Sequence, residues 1–303
     1  MWFVNALLCF TGWGVADLFY KKGSRQEDKY SQFKIVFAVG IIMGIQALIM
    51  IIKGQPFEPF DLIKYLPVSA MYILSMFLGY VGLRYIELSV SSPIQNSSAA
   101  VSTILLIIFC SYKPTAIQSV GIVALIIGVF LLSLLEKKNA DRERLLAKEK
   151  IDKKYTISLI AIIFPLLYCV IDGLGTFADG LYLDEYEIMT EDAALVAYEL
   201  TFFICAVLVF IYLRFIKKEK FSIVRERNRF FAAIFETAGQ FFYVYALSEN
   251  AVITAPIVGS YCVLSVLLSR VFLKEKLSWK QYVSVSIVFA GLILIGIAEG
   301  LEA

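Results

Sequence analysis

Residues 246–299 read ALSENAVITAPIVGSYCVLSVLLSRVFLKEKLSWKQYVSVSIVFAGLILIGIAE, and the reading of this stretch decides the fold. It divides into two apolar segments, about 251–272 and about 282–298, each long enough to cross a bilayer as a helix. The short basic turn Leu273-Lys274-Glu275-Lys276-Leu277 joins them, and Ser278 is placed to cap the second helix. A shift of 163 positions, which carries Pro93 onto Pro256, finds the same features earlier in the chain without a gap. Ser97 falls under Ser260, Ser102 under Ser265, Phe109 under Phe272, Lys113 under Lys276, Gln118 under Gln281 and Gly128 under Gly291. The chain therefore contains a duplicated unit.

Hydrophobic residues make up 59% of the 303 and charged residues 18%, too apolar a balance for a domain whose surface must face water. Apolar runs of membrane-spanning length number ten, at about 1–20, 33–52, 65–83, 92–110, 115–135, 156–178, 193–213, 229–248, 251–273 and 280–298. The first has no basic region before it and no small-residue cleavage site after it, so it is expected to be retained. The expected fold is an all-α polytopic membrane protein of ten transmembrane helices in two five-helix repeats, residues 1–136 and 155–303, joined by a polar linker at 137–154. Cys9, Cys110, Cys169, Cys205 and Cys262 lie in or at the ends of spans without CxxC spacing, which reads as packing. The chain has no histidine, which removes the commonest metal ligand and general base. No phosphate loop, nucleophile elbow or zinc-protease motif is present, and no cofactor is expected.

Charge sets an expected orientation. Of the 28 basic residues, 25 fall in odd-numbered loops and 3 in even-numbered loops and tails, and short Lys- and Arg-rich loops stay in the cytoplasm. Odd loops are thus expected inside and both termini outside. An odd number of helices per repeat inserts the second repeat upside down relative to the first. The loops agree: loop 1 (Lys21, Lys22, Arg25, Lys29, Lys34) is basic, whereas loop 6 (Asp179, Asp184, Glu185, Glu187, Glu191, Asp192) carries acids alone. Inverted repeats place a substrate site near the bilayer midplane, between the halves.

The same stretch resembles a known family. Thr254-Ala255-Pro256 entering an apolar helix, then Lys274-Glu275-Lys276-Leu277-Ser278, then a Gly291-containing helix, resembles the EamA repeat of the drug/metabolite transporter superfamily. Trp13-Gly14 and Tyr243-Val244-Tyr245-Ala246-Leu247 fit the pattern too, while Tyr112 and Pro114 depart from it where the second repeat has Glu275 and Leu277. The resemblance implies a transporter of small metabolites, with spans 4 and 9 lining the cavity. Gln95, Asn96, Ser97 and Ser98 would face Ser260, Tyr261 and Ser265 there, although serine-rich faces serve equally as packing surfaces.

A charge inside hydrocarbon costs roughly 2.5–3.5 kcal/mol, so each intramembrane acid is a candidate with a partner to be named. Glu236 leads, because Gln240 and Tyr243 follow it at i+4 and i+7 and present carboxyl, amide and phenol on one helix face. The plainer alternative is an interhelical hydrogen bond. Asp172 shares its face with Tyr168 and Thr176, and flanking Gly173 and Gly175 suggest a helix able to unwind. Glu199 sits next to Tyr198, two turns into span 7, where it either serves the site or reaches the outer interface. Asp17 has Lys21 at i+4 and reads as a helix-end pair. Trp13, Tyr72 and Tyr80 are expected to supply apolar walls.

Four intramembrane acids without an intramembrane base other than Arg84 and Arg270 at helix ends favour a cationic ligand. The expectation is a secondary transporter that moves an amino acid or amine-bearing metabolite, as an exporter and with proton exchange. Its partners are the small substrate and the bilayer, not nucleic acid, with monomer and homodimer both open. The rival reading is a non-transporting scaffold or lipid-handling protein.

Overall fold

The computed structural model describes residues 1–23, 28, 30–82, 94–147, 159–219, 223–274 and 277–302, and these form a helical bundle. In chain order the helices are α1 (Trp2–Gly23), α2 (Ser31–Ile52), α3 (Pro59–Gly82), α4 (Ser98–Phe109), α5 (Ala116–Ala147), α6 (Leu159–Gly180), α7 (Glu191–Ile211), α8 (Ile223–Glu249), α9 in two segments (Ala251–Gly259 and Cys262–Leu268) and α10 (Trp279–Glu302). Among the described residues nine helices are long and apolar enough to cross a membrane, and α4 is a shorter apolar helix. Arg84, at the end of the third span, and the start of the fourth span with Pro93 lie outside the described residues.

Two boundaries differ from expectation. The α5 helix runs on to Ala147, well into the polar segment expected as linker, because residues 136–147 are good helix formers without Gly or Pro. The α6 helix continues past 178 to Gly180 and then widens into a π-helical turn, Leu181–Glu185. Asp179, expected in an acidic loop, is therefore inside the bundle and fully buried. Nor does α6 unwind beside Asp172. Gly173 serves close packing instead: a Cβ there would meet the Val101 side chain at 2.9 Å and the Ser98 carbonyl at 3.0 Å.

The duplication is visible in matching helix starts. At α10 the Ser278 N–H donates to Gln281 Oε1 (2.9 Å) while Ser278 Oγ accepts from the Gln281 N–H (3.4 Å). At α5 the Thr115 N–H donates to Gln118 Oε1 (2.8 Å) and Thr115 Oγ1 accepts from the Gln118 N–H (3.4 Å), the same reciprocal cap 163 residues earlier. Packing repeats as well. The α1 helix lies on α8 as α3 lies on α6; α2 meets α8 as α7 meets α3; α1 meets α9 as α6 meets α4; α2–α7, α4–α9 and α5–α10 pair across the pseudo-twofold. Five helices per repeat make equivalent helices run in opposite directions.

Apolar lipid supplies no hydrophobic drive between helices, so close van der Waals approach holds them together. Gly40 and Gly44 give the α2–α7 crossing: a Cβ on Gly40 would sit 2.3 Å from the Phe202 carbonyl, and one on Gly44 2.4 Å from the Phe203 ring. The α1–α8 crossing is built on Gly12 and Gly239, where a Cβ on Gly12 would lie 3.0 Å from Gly239 Cα.

Each end of the bundle is tied by polar contacts. At the end carrying loops 1 and 7, Arg229 is 1% exposed; it donates to Asp28 Oδ2 (3.1 Å) and Ser31 Oγ (2.8 Å) and pairs with Glu226. Lys34 joins Asp28 (3.0 Å) and Glu219 (3.6 Å). Burial pushes the Asp28 carboxyl up, but hydrogen bonds from Lys34, the Tyr30 N–H and Arg229 outweigh it and hold Asp28 below its ordinary range. At the opposite end the terminal ammonium meets Glu249 (2.9 Å), Lys64 Nζ donates to the Ile188 carbonyl (2.6 Å), and Ser111 donates to Glu185.

Candidate functional site

Glu236 lies on the face of α8 that looks into the bundle, one turn before Gly239. The missing side chain at Gly239 lets the Trp13 ring lie against the helix backbone, where a Cβ would come within 2.3 Å of Trp13 Cδ1. From there Trp13 Nε1 donates to the Glu236 backbone carbonyl (3.2 Å), and the side-chain carboxyl takes no hydrogen bond from a described residue. The indole also meets Tyr243 (centroids 5.2 Å apart) and, edge-on, Tyr261 (5.9 Å). Trp13 is thus part wall and part donor, more than the apolar surface expected of it.

Asp17 is corrected from a helix-end residue to an interior one. Its carboxylate accepts from Ser265 Oγ of α9 and lies within electrostatic range of Glu236. Tyr261, at the break between the two segments of α9, lies within range of Asp17, Glu236 and Asp172 together. Glu236, Asp172, Asp17, Trp13, Tyr72 and Tyr261 are half-buried, so each keeps part of its side chain accessible. Among the described residues the buried bases are Lys34 and Arg229, both in the ion-pair cluster at one end. Among the described residues these half-buried groups therefore present three carboxyls and aromatic faces without a facing cation.

Asp172 accepts from Ser75 Oγ of α3 (3.1 Å) and from Ser98 of α4. Two turns on, Asp179 accepts from Tyr65 of α3, and Tyr72 reaches its other oxygen at 3.5 Å. Tyr72 is bonded as well to Thr176 Oγ1 (3.2 Å) and to the Tyr243 hydroxyl (2.8 Å). Tyr72, expected as apolar wall, is a hydrogen-bonding hub. Sequence reasoning missed Asp179 and Tyr65; the available signal was Asp179 following Asp172 and Thr176 on one helix face, at seven and three residues.

The remaining candidates are distributed more widely. Gln240 and Tyr243 follow Glu236 as expected but are nearly buried, and Gln240 Nε2 has no partner among the described residues. Glu199 does not reach the interface. It is 0% exposed, and neither carboxyl oxygen has a described partner. Ser260 is fully buried and donates to the Ile257 carbonyl (2.6 Å), stabilising the break in α9. Gln95 stands at the start of the described part of span 4. Asn96 donates to Ser133 of α5 (3.0 Å) and borders a separate cavity of about 80 Å³ between α4, α5 and α9, lined also by Leu125, Val129, Pro256 and Gly259. The structure thus gathers Trp13, Glu236, Tyr243 and Asp172 around one interior and leaves Asn96 at another. Among the described residues no three Cys, Asp or Glu side chains converge to hold a metal ion.

Among the described residues, nine membrane-length helices and the shorter apolar α4, arranged in two repeats, define a polytopic membrane protein. The model of the EamA-like transporter family matches residues 1–134 and 159–297, one match per repeat, and the chain belongs to that family. It is therefore a membrane transporter of the drug/metabolite type. A solved structure titled only "Crystal structure of protein" is similar over 100% of this chain and 99% of its own, with a TM-score of 0.71 at 12% identity, which shows the shared fold. No curated protein sequence matches the chain.

Proposed function

We propose that the protein is a secondary transporter of the cytoplasmic membrane that exports an amino acid or another amine-bearing metabolite by alternating access in exchange for protons. The observation that carries this reading is the interior bordered by Glu236, Asp172 and Asp17 with Trp13, Tyr72 and Tyr261, without a facing base among the described residues. A protonated amine supplies the missing charge, and aromatic faces add cation–π attraction, about 0.5–2 kcal/mol according to how dry the site is. A sugar phosphate would meet only like charge. Glu236, which takes no hydrogen bond from described neighbours, is the carboxyl open to either a proton or an ammonium group, so the two exclude each other. Gln240 Nε2 offers an unmatched donor one turn away, suited to the carboxylate of an amino acid.

In this reading the odd-numbered loops, including the helical extension of α5, are cytoplasmic. Reporter fusions after Lys148 and after Glu187 test it; a cytoplasmic signal at Glu187 overturns the orientation.

Thermal unfolding in detergent with the twenty amino acids, putrescine, tyramine and glucose 6-phosphate tests the substrate class. Amine-bearing compounds raise the midpoint and the phosphate does not. Compounds that do so then enter proteoliposome exchange. If none shifts the midpoint, and cysteines placed along α4 and α9 resist aqueous labelling, a non-transporting membrane protein is favoured.

A further inference from the structure

Four polar side chains from three helices form one hydrogen-bonded chain that the reading of Glu236 does not use. Asp179 of α6 accepts from Tyr65 on one oxygen and from Tyr72 on the other, and Tyr72 continues to Tyr243 of α8 at 2.8 Å. Tyr65 and Tyr72 belong to the first repeat, Asp179 and Tyr243 to the second. The chain therefore ties the repeats together, and it ends at the indole of Trp13, which borders the interior. The groups facing Asp179 are phenols throughout: Tyr65 and Tyr72 from α3, Tyr243 from α8 and Tyr198 from α7. On its own helix the other titratable groups are Tyr168, Cys169 and Asp172, and the π-helical turn beyond adds Tyr182, Asp184, which accepts from the Ala251 N–H (2.7 Å), and Glu185, which accepts from Ser111.

We infer that Asp179 is a second proton-binding residue of the transporter, and that with Tyr65, Tyr72 and Tyr243 it forms a proton-dependent latch between the repeats. An ionised carboxyl only accepts, so Tyr65 and Tyr72 both point their hydrogens at it, and Tyr243 must donate to Tyr72. A proton taken from water onto Oδ2 turns that oxygen into a donor toward Tyr72. Tyr72 then has to redirect its own hydrogen to Tyr243 or to Thr176 at 3.2 Å. When it turns to Tyr243, the polarity of the Asp179–Tyr72–Tyr243 segment reverses while Tyr65 keeps donating to Oδ1, and the contact between α3 and α8 is remade. The 2.8 Å separation of the Tyr72 and Tyr243 oxygens suits either direction of donation. Because α3 and α8 come from different repeats, their contact must change when the repeats rock about the site. Trp13 against Tyr243 makes the change sensible to whatever occupies the interior.

The purpose of the latch rests on the transporter reading, but its test needs no substrate. In a variant with Trp2→Phe and Trp279→Phe, Trp13 is the one remaining tryptophan of the three, and its emission is titrated with protons in lipid discs. A step is expected that persists in Glu236→Gln and disappears in Asp179→Asn, while Tyr65→Phe, which deletes a donor to the carboxylate, moves its midpoint. The inference is overturned if no step occurs, if Asp179→Asn keeps it, or if it is lost with Glu236→Gln. Should Asp179→Asn fail to fold, Tyr65→Phe decides, and an unmoved midpoint overturns the latch. A step that depends on Asp179 in a protein that exchanges none of the tested compounds would sink the amine-exchange reading alone. Exchange of an amine without such a step would sink the latch alone.

Discussion

Replacing Arg229 by Met tests whether the charge cluster beneath α8 is a buried network or a solvated surface pair. Arg229 is 1% exposed at its side chain, and its partners Asp28 and Glu226 are 10% and 7% exposed. At 3.1 Å and an effective dielectric of about 20, the attraction to Asp28 alone amounts to about 5 kcal/mol before desolvation. Removing one partner of such a buried set costs about 3–5 kcal/mol, because the other charges stay buried without compensation. Lys34, 3.0 Å from Asp28, still neutralises that carboxylate in part, which places the expected loss near the lower figure, about 3 kcal/mol. The assay is denaturant unfolding in mixed micelles followed by circular dichroism, arranged as a double-mutant cycle with Asp28→Asn. Asp28→Asn in the Arg229→Met background should recover part of the loss. The contact between the terminal ammonium and Glu249 serves as control, since those groups are 98% and 44% exposed and Glu249→Gln should cost under about 1 kcal/mol. A loss below about 1 kcal/mol for Arg229→Met would place the cluster in water and refute the reasoning.

Asp28 also makes this end acid-sensitive: its folded carboxyl is held low, so its stabilisation is present above the unfolded value, about 3.9, and fades as pH falls through the folded one. Hydrogen exchange at α2 and the start of α8 should rise below about pH 4 in wild type and lose that acid dependence in Asp28→Asn. Glu236→Gln should fold normally, retain exchange of a compound identified by thermal shift and lose its accumulation under an imposed pH gradient; full accumulation by the mutant would move the coupling to Asp172 or Asp179. Gly239→Ala forces Trp13 off the helix and should destabilise by about 1–3 kcal/mol, together with weaker binding of the same compound; unchanged binding would remove Trp13 from the site.

Hydropathy, the 163-residue repeat and the loop charges are linear properties, and they were enough for ten spans, two repeats and their opposed directions, because a bilayer demands apolar helices of fixed length and an odd count reverses the second half. Glu236, Asp172 and Trp13 stand out as candidates for a related reason: polar or bulky groups at mid-span need a purpose. Where each side chain points within the bundle depends on helix rotation and on the crossing points set by Gly12, Gly40, Gly44 and Gly239, and these emerge only when helices distant in sequence meet. That is why Asp17 joined the interior through Ser265, why Ser260 and Asn96 fell away from Glu236, and why Glu199 was enclosed instead of reaching the interface. Asp179 was hidden for a further reason. An acid near a span end reads as loop from one strand of sequence, and only the arrival of Tyr65, Tyr72 and Tyr243 from other helices supplies the donors that let it stay buried.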